Sequence, residues 1–166
     1  MWLVRTQRLT WFSIVFAAFG VLVATGLLGA DWLEQWSDLA RDKAWHASFS
    51  GANVCNSPAQ FCDESPDFFF HTAEERKPWL EIDLGALTQF SAVRVINRRD
   101  CCRERASPLV IESSVDQKNW KPLARHDGGF SSWKARFPTE RARYLRIQIV
   151  APQLTNLHLA AVRVLP

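Results

Sequence analysis

The chain has 166 residues, 48% of them hydrophobic and 12% aromatic, with eight tryptophans, a composition that excludes intrinsic disorder. That length accommodates one domain with a substantial core plus a short accessory segment. The net charge of +3 includes Arg5 and Arg8, so the remainder is nearly neutral, which argues against nucleic acid as a partner.

Residues 9–30, "LTWFSIVFAAFGVLVATGLLGA", carry no charge and are long enough to cross a bilayer as a helix. Arg5 and Arg8 precede the run, while Asp31, Glu34 and Asp38 follow it. Basic residues are retained on the cytoplasmic side, so the expected arrangement is a single-pass anchor with a cytoplasmic N-terminus. Residues 1–8 would then be the cytoplasmic tail, and residues 31–166 would lie outside. Trp2 and Trp11 at one end, and Trp32 and Trp36 at the other, suit the interfacial aromatic belts. A cleaved signal peptide is the alternative, although its apolar core would exceed the usual length of about 7–15 residues.

Residues 31–44 form a juxtamembrane segment with room for one or two helical turns. Export makes the four cysteines, Cys55, Cys62, Cys101 and Cys102, candidates for two disulfides. The loop "SGANVCNSPAQFCDESPD" is rich in turn formers, and a Cys55–Cys62 bridge would stiffen it. Cys101 and Cys102 could instead bridge separately to Cys55 and Cys62. From residue 79 onward, short runs alternate with period two: "WLEIDLG", "SAVRVIN", "PLVIESS", "KARF", "RYLRIQIV" and "LHLAAVRVL". Residues 45–166 are therefore expected to be an all-β sandwich or jelly roll.

Between the second and third of these runs lies "INRRDCCRERA". Its interleaved charges read either as a surface salt-bridge network or as part of a binding site, and His71 upstream as a strand cap or a ligand contact. Adjacent cysteines suit neither a zinc site nor a C-x-x-C redox pair.

Three stretches, "DLARDKAWHASF", "KPWLEIDLG" and "IESSVDQKNWKPL", together with "ARYLRIQIV" and the closing "LHLAAVRVL", resemble the discoidin, or coagulation-factor type C, family. The resemblance covers Ser37 to Pro166 and implies an antiparallel jelly-roll sandwich with ligand-binding loops at one end. The family's Ser-x-Asp-Gly turn appears as Ser114-Val115-Asp116-Gln117, so an altered turn is expected. Within the family, the fucose-binding F-type lectins are similar in carrying a His, 26 residues, Arg-x-Asp, four residues, and Arg or Lys. His71, Arg98, Asp100 and Arg105 stand at that spacing. The resemblance implies that His71, Arg98 and Arg105 donate to sugar hydroxyls, that Asp100 steadies the arginines, and that a Cys101–Cys102 disulfide packs against the sugar ring.

F-type lectins also imply a structural calcium, held partly by a Glu in the last strand. Here Ala160 and Ala161 stand in its place, leaving Asn53, Asn56, Asp63 and Glu64 as oxygen donors. No nucleophile elbow, phosphate loop or glycosidase carboxylate pair is legible. The expected function is a membrane-anchored, lectin-like, non-enzymatic module whose partner is a glycan. The alternative is an accessory subunit of a membrane complex, docking protein or lipid headgroups.

Overall fold

The computed structural model describes residues 32–48, 50–53 and 70–166, with Ser50–Asn53 and Phe70 entering only through their backbones. The expected span over residues 9–30, Cys55 and Cys62 lie outside the described residues. Among the described residues no helix is long and apolar enough to cross a membrane. Residues 32–36 form a helical turn in which the rings of Trp32 and Trp36 stand 5.5 Å apart.

Residues Ser37–Pro166 make a second compact unit. Its strands are β1 (Ala44–Ala47), β2 (Ser50–Asn53), β3 (Phe70–Thr72), β4 (Glu75–Arg76), β5 (Trp79–Asn97), β6 (Leu109–Ser114), β7 (Lys121–His126), β8 (Ser132–Ile149), β9 (Leu154–Thr155) and β10 (His158–Leu165). Eight of them form one sheet in the order β2-β3-β10-β5-β8-β6-β7, with β1 also paired to β5; β4 and β9 form a small second sheet. Every pairing is antiparallel among the described residues. The result is an all-β, curled sheet consistent with a jelly roll.

Two features of this sheet were not apparent from the period-two runs. "WLEIDLG" and "SAVRVIN" belong to one continuous strand, β5, and "KARF" and "RYLRIQIV" to another, β8. Their mutual register shifts after Asp83 and again after Phe90, so each strand bends and passes from one part of the curled sheet to the next. Gly85 occupies the first irregularity at φ +84°, with its N–H donated to the Asp83 carboxylate at 2.8 Å. β7 also forms, although its polar and proline-bearing sequence gave little sign of it.

Leu80, Ile82, Leu84, Val93, Val95, Leu109, Ile111, Leu145, Ile147 and Ile149 alternate inward along these strands and form the core. Each such side chain contributes about 1.5–3 kcal/mol through burial. The unit begins ahead of Trp45, because Ala40 is fully buried and Asp38 is bound to the last strand. One carboxylate oxygen of Asp38 accepts from the amides of Ala40 and Val164, both at 2.9 Å.

The opposite face of the sheet carries a polar row, His46, Glu81, Arg146 and Glu112, in register across β1, β5, β8 and β6. Glu81 is only 3% exposed. It accepts from Arg146 at 2.8 Å and from the Gln117 amide at 2.9 Å, and His46 lies 3.2 Å away. Trp120 covers the Arg146 guanidinium at 3.8 Å. The turn at Ser114–Gln117 is not lost with its glycine. Gln117 takes the left-handed conformation at φ +61°, and the Ser114 hydroxyl accepts from the amides of Asp116 and Gln117. The Gln117 bond to Glu81 offsets the backbone cost that a glycine would have avoided.

Candidate functional site

The site residues gather where three neighbouring strands reach one end of the sheet. β3 pairs with β10 so that His71 stands opposite His158, and β10 pairs with β5 so that Leu159 stands opposite Asn97. Thr72 locks β3 in place: its amide donates to the Leu157 carbonyl, and its hydroxyl accepts from the Leu157 amide, both at 2.9 Å.

Asn97 closes β5 and organises the loop that follows. Its buried side-chain amide donates to the carbonyls of Arg103 (2.8 Å) and Phe130 (3.0 Å), and its oxygen accepts from the Arg98 amide (2.8 Å). Arg103 wraps back over the loop, donating to the carbonyls of Arg98 and Arg99. Cys102 sits at φ +59°, a conformation costly for a residue with a Cβ, and opens a 3-10 helix over Arg103–Ala106. Cys101 and Cys102 are bonded to each other, which removes the alternative of separate bridges to Cys55 and Cys62.

Arg98 is 8% exposed and grips Asp100 with two bonds, Nε to Oδ1 at 2.6 Å and Nη2 to Oδ2 at 2.5 Å. Hydrogen bonding from Arg98 holds the Asp100 carboxyl well below the usual carboxylate range. This fork fixes the plane of the guanidinium. Asp100, Cys101 and Arg105 are exposed, and His71 and Cys102 half-buried.

His158 was not among the residues anticipated from the sequence. It is fully buried, its ring lies 5.7 Å from that of His71, and neither ring nitrogen has a hydrogen-bond partner among the described residues. Burial, followed by the nearby charge of Arg98 and then His71 and Arg105, pushes its pKa down to about 4. His71 therefore faces His158 across the β3–β10 pair, and the charges of Arg98 and Arg105 both bear on the same imidazole. The alternation of the last strand hides this, because β10 carries an irregularity between Leu159 and Ala161. Asn97 was also missed: a lone asparagine ending a strand reads as an ordinary turn residue.

Beside this cluster lies a cavity of about 530 Å³ lined by Arg105, Glu74, Glu104, Ser107, Gln153, Leu154, Thr155 and Asn156. Arg105 borders it, whereas His71 and Arg98 do not.

A calcium ion needs six to eight oxygen ligands. Among the described residues no three His, Cys, Asp or Glu side chains gather as a metal cluster, and the last strand presents Ala160 and Ala161. The side chains of Asn53, Asn56, Asp63 and Glu64 lie outside the described residues.

The profile of the NedA-like, galactose-binding domain matches residues 60–147, more than half of the chain. No curated protein sequence matches it. Among solved structures, the fold resembles the lectin domain of lectinolysin complexed with Lewis B antigen, with TM-score 0.63 and 23% identity over 76% of this chain and 94% of that one. A fucose binding module of Streptococcus pneumoniae gives TM-score 0.64 and 23% identity over 77% and 94%. An f-lectin from striped bass (Morone saxatilis) serum gives 0.63 and 20% over 77% of this chain and 48% of that one.

Proposed function

Because this chain belongs to the NedA-like, galactose-binding domain family, we propose that it is a carbohydrate-binding module that recognises a glycan through His71, Arg98 and Arg105. The observation that supports this reading is the strand pairing that brings His71 on β3, and the loop after Asn97 on β5 that carries Arg98 and Arg105, to the two sides of β10 at His158 and Leu159. Sugar recognition needs donors fixed before the ligand arrives, since every hydroxyl gives up bonds to water on binding. Asp100 fixes the Arg98 fork, and the 3-10 helix holds the base of Arg105. The Cys101–Cys102 pair, exposed at Cys101 and half-buried at Cys102, offers a flat, polarisable surface to the apolar side of a sugar ring. The lectinolysin lectin domain was solved with Lewis B antigen and the Streptococcus pneumoniae module is a fucose binding one, which supports a glycan as the ligand.

The module has no chemistry of its own in this reading. The uncharged run of residues 9–30 behind Arg5 and Arg8 supports tethering it to the outer side of a membrane.

A glycan array probed with the full chain in detergent tests the assignment. At least one class of neutral glycan should bind, and Arg105→Ala should weaken it at least about ten-fold, equivalent to roughly 1.4 kcal/mol. Arg105 is exposed, so the melting temperature of that variant should hardly move. Failure of the unmodified chain to bind any glycan would overturn the reading in favour of a docking subunit. Unchanged binding by Arg105→Ala would remove Arg105 from the site.

A further inference from the structure

The cavity beside Arg105 is walled by two elements, of which the first sugar site uses only Arg105. One wall is the small sheet of β4 and β9, in which Glu75 pairs with Thr155 and Arg76 with Leu154. The other is the 3-10 helix and the residue after it, contributing Glu104, Arg105 and Ser107. At about 530 Å³ the cavity falls within the range of roughly 300–1,000 Å³ typical of small-ligand sites.

Its position makes it continuous with the proposed sugar site in two ways. Arg105 belongs to both, and the Asn156 amide donates at 3.1 Å to the carbonyl of Thr72, the residue after His71. Its chemistry is that of a polar seat: Gln153, Thr155 and Asn156 supply amides and a hydroxyl, while Leu154 is 52% exposed and offers an apolar surface. The exposed carboxylates of Glu74 and Glu104 form no ion pair among the described residues. With Arg105 as the only cation among the described lining residues, an incoming carboxylate meets two like charges against one opposite charge. A hydroxyl or ammonium group meets two acceptors instead.

We propose that this cavity seats a second sugar residue, joined to the one at His71, Arg98 and Arg105, and that Glu74 and Glu104 select neutral or amine-bearing residues over acidic ones. The inference rests on the carbohydrate-binding reading and extends it from a monosaccharide to at least a disaccharide. Specificity then comes from repulsion of the wrong ligand as well as attraction of the right one.

Binding of the full chain to immobilised probes separates the two levels. The probes are fucose and galactose alone, and each as the terminal residue linked to galactose, glucosamine or glucuronic acid. For whichever terminal sugar binds, the galactose- and glucosamine-linked disaccharides should bind at least about ten-fold more tightly than the monosaccharide. The glucuronic acid conjugate should gain nothing. The double variant Glu74→Gln/Glu104→Gln should raise the acidic-to-neutral binding ratio about ten-fold. Equal binding of acidic and neutral disaccharides, or an unchanged ratio in the double variant, would overturn the second seat while leaving monosaccharide recognition standing. Absence of binding to every probe would overturn both levels.

Discussion

Two of the arginine–carboxylate clusters among the described residues, those at Glu81 and at Asp100, each lie near a histidine and are built to opposite specifications. On the sheet face, Glu81 is buried beneath the row and engaged by Arg146, Gln117 and His46, while Trp120 covers the arginine. At the strand ends, Arg98 grips an exposed Asp100, the loop passes through a left-handed Cys102, and His158 is buried with both nitrogens unpartnered among the described residues. Both Glu81 oxygens are engaged, tying β5 to β8 and to the turn after β6, although Glu112 in the same row leaves Oε2 without a hydrogen bond; at the strand ends a whole imidazole is left so among the described residues. The difference lies in what surrounds the charges, since the two clusters use nearly the same side chains.

The largest effect should come from breaking the Glu81 cluster. Glu81→Ala leaves Arg146 without its main partner and should cost about 3–5 kcal/mol, seen as a drop of more than about 10 °C in thermal melting. Glycan binding by the folded protein should be retained. A melting temperature within about 2 °C of the parent would show that the row is incidental to the fold.

The next effect belongs to His158. Its folded pKa of about 4 lies below the ordinary 6.5, so the unfolded chain binds a proton that the native state resists. The stability contributed by burying the neutral ring is complete above pH 6.5 and is lost as pH falls from there towards 4. The integrated loss is on the order of 3 kcal/mol. Urea midpoints measured across that window should fall steeply for the parent and less steeply for His158→Leu. Identical slopes would show that this imidazole does not control acid stability.

The smallest effect on stability, with a clear one on binding, is expected for Cys101→Ser/Cys102→Ser. A disulfide between adjacent residues closes almost no chain, so its removal should change stability by less than about 1 kcal/mol. Glycan affinity should fall nonetheless, because the surface beside Arg105 changes. Unaltered affinity in titration calorimetry would confine the pair to a structural role.

Much of this architecture was legible from local pattern. Leu80, Ile82 and Leu84 alternate in the sequence and point into the core as that alternation requires. Glu81 shows where the same rule stops: period two assigns it to the outer face, but there it is engaged by Gln117, from a turn more than thirty residues later, and by Arg146, over which Trp120 lies. The turn itself was expected to be altered because Gln117 replaces glycine. A side-chain bond to Glu81 accompanies its left-handed backbone, a compensation that only the folded contact supplies.

The sequence by itself determined the all-β class, the inward-facing residues of the main strands and the spacing that relates His71 to Arg98, Asp100 and Arg105. These follow from side-chain periodicity and from the family resemblance, both carried along the chain. Tertiary structure decided that β5 and β8 each run unbroken through a bend, that His158 pairs opposite His71, and that a cavity opens between β9 and the 3-10 helix. Those features depend on strand register and on which loops meet, and antiparallel pairing joins residues whose separation along the chain leaves no local signal.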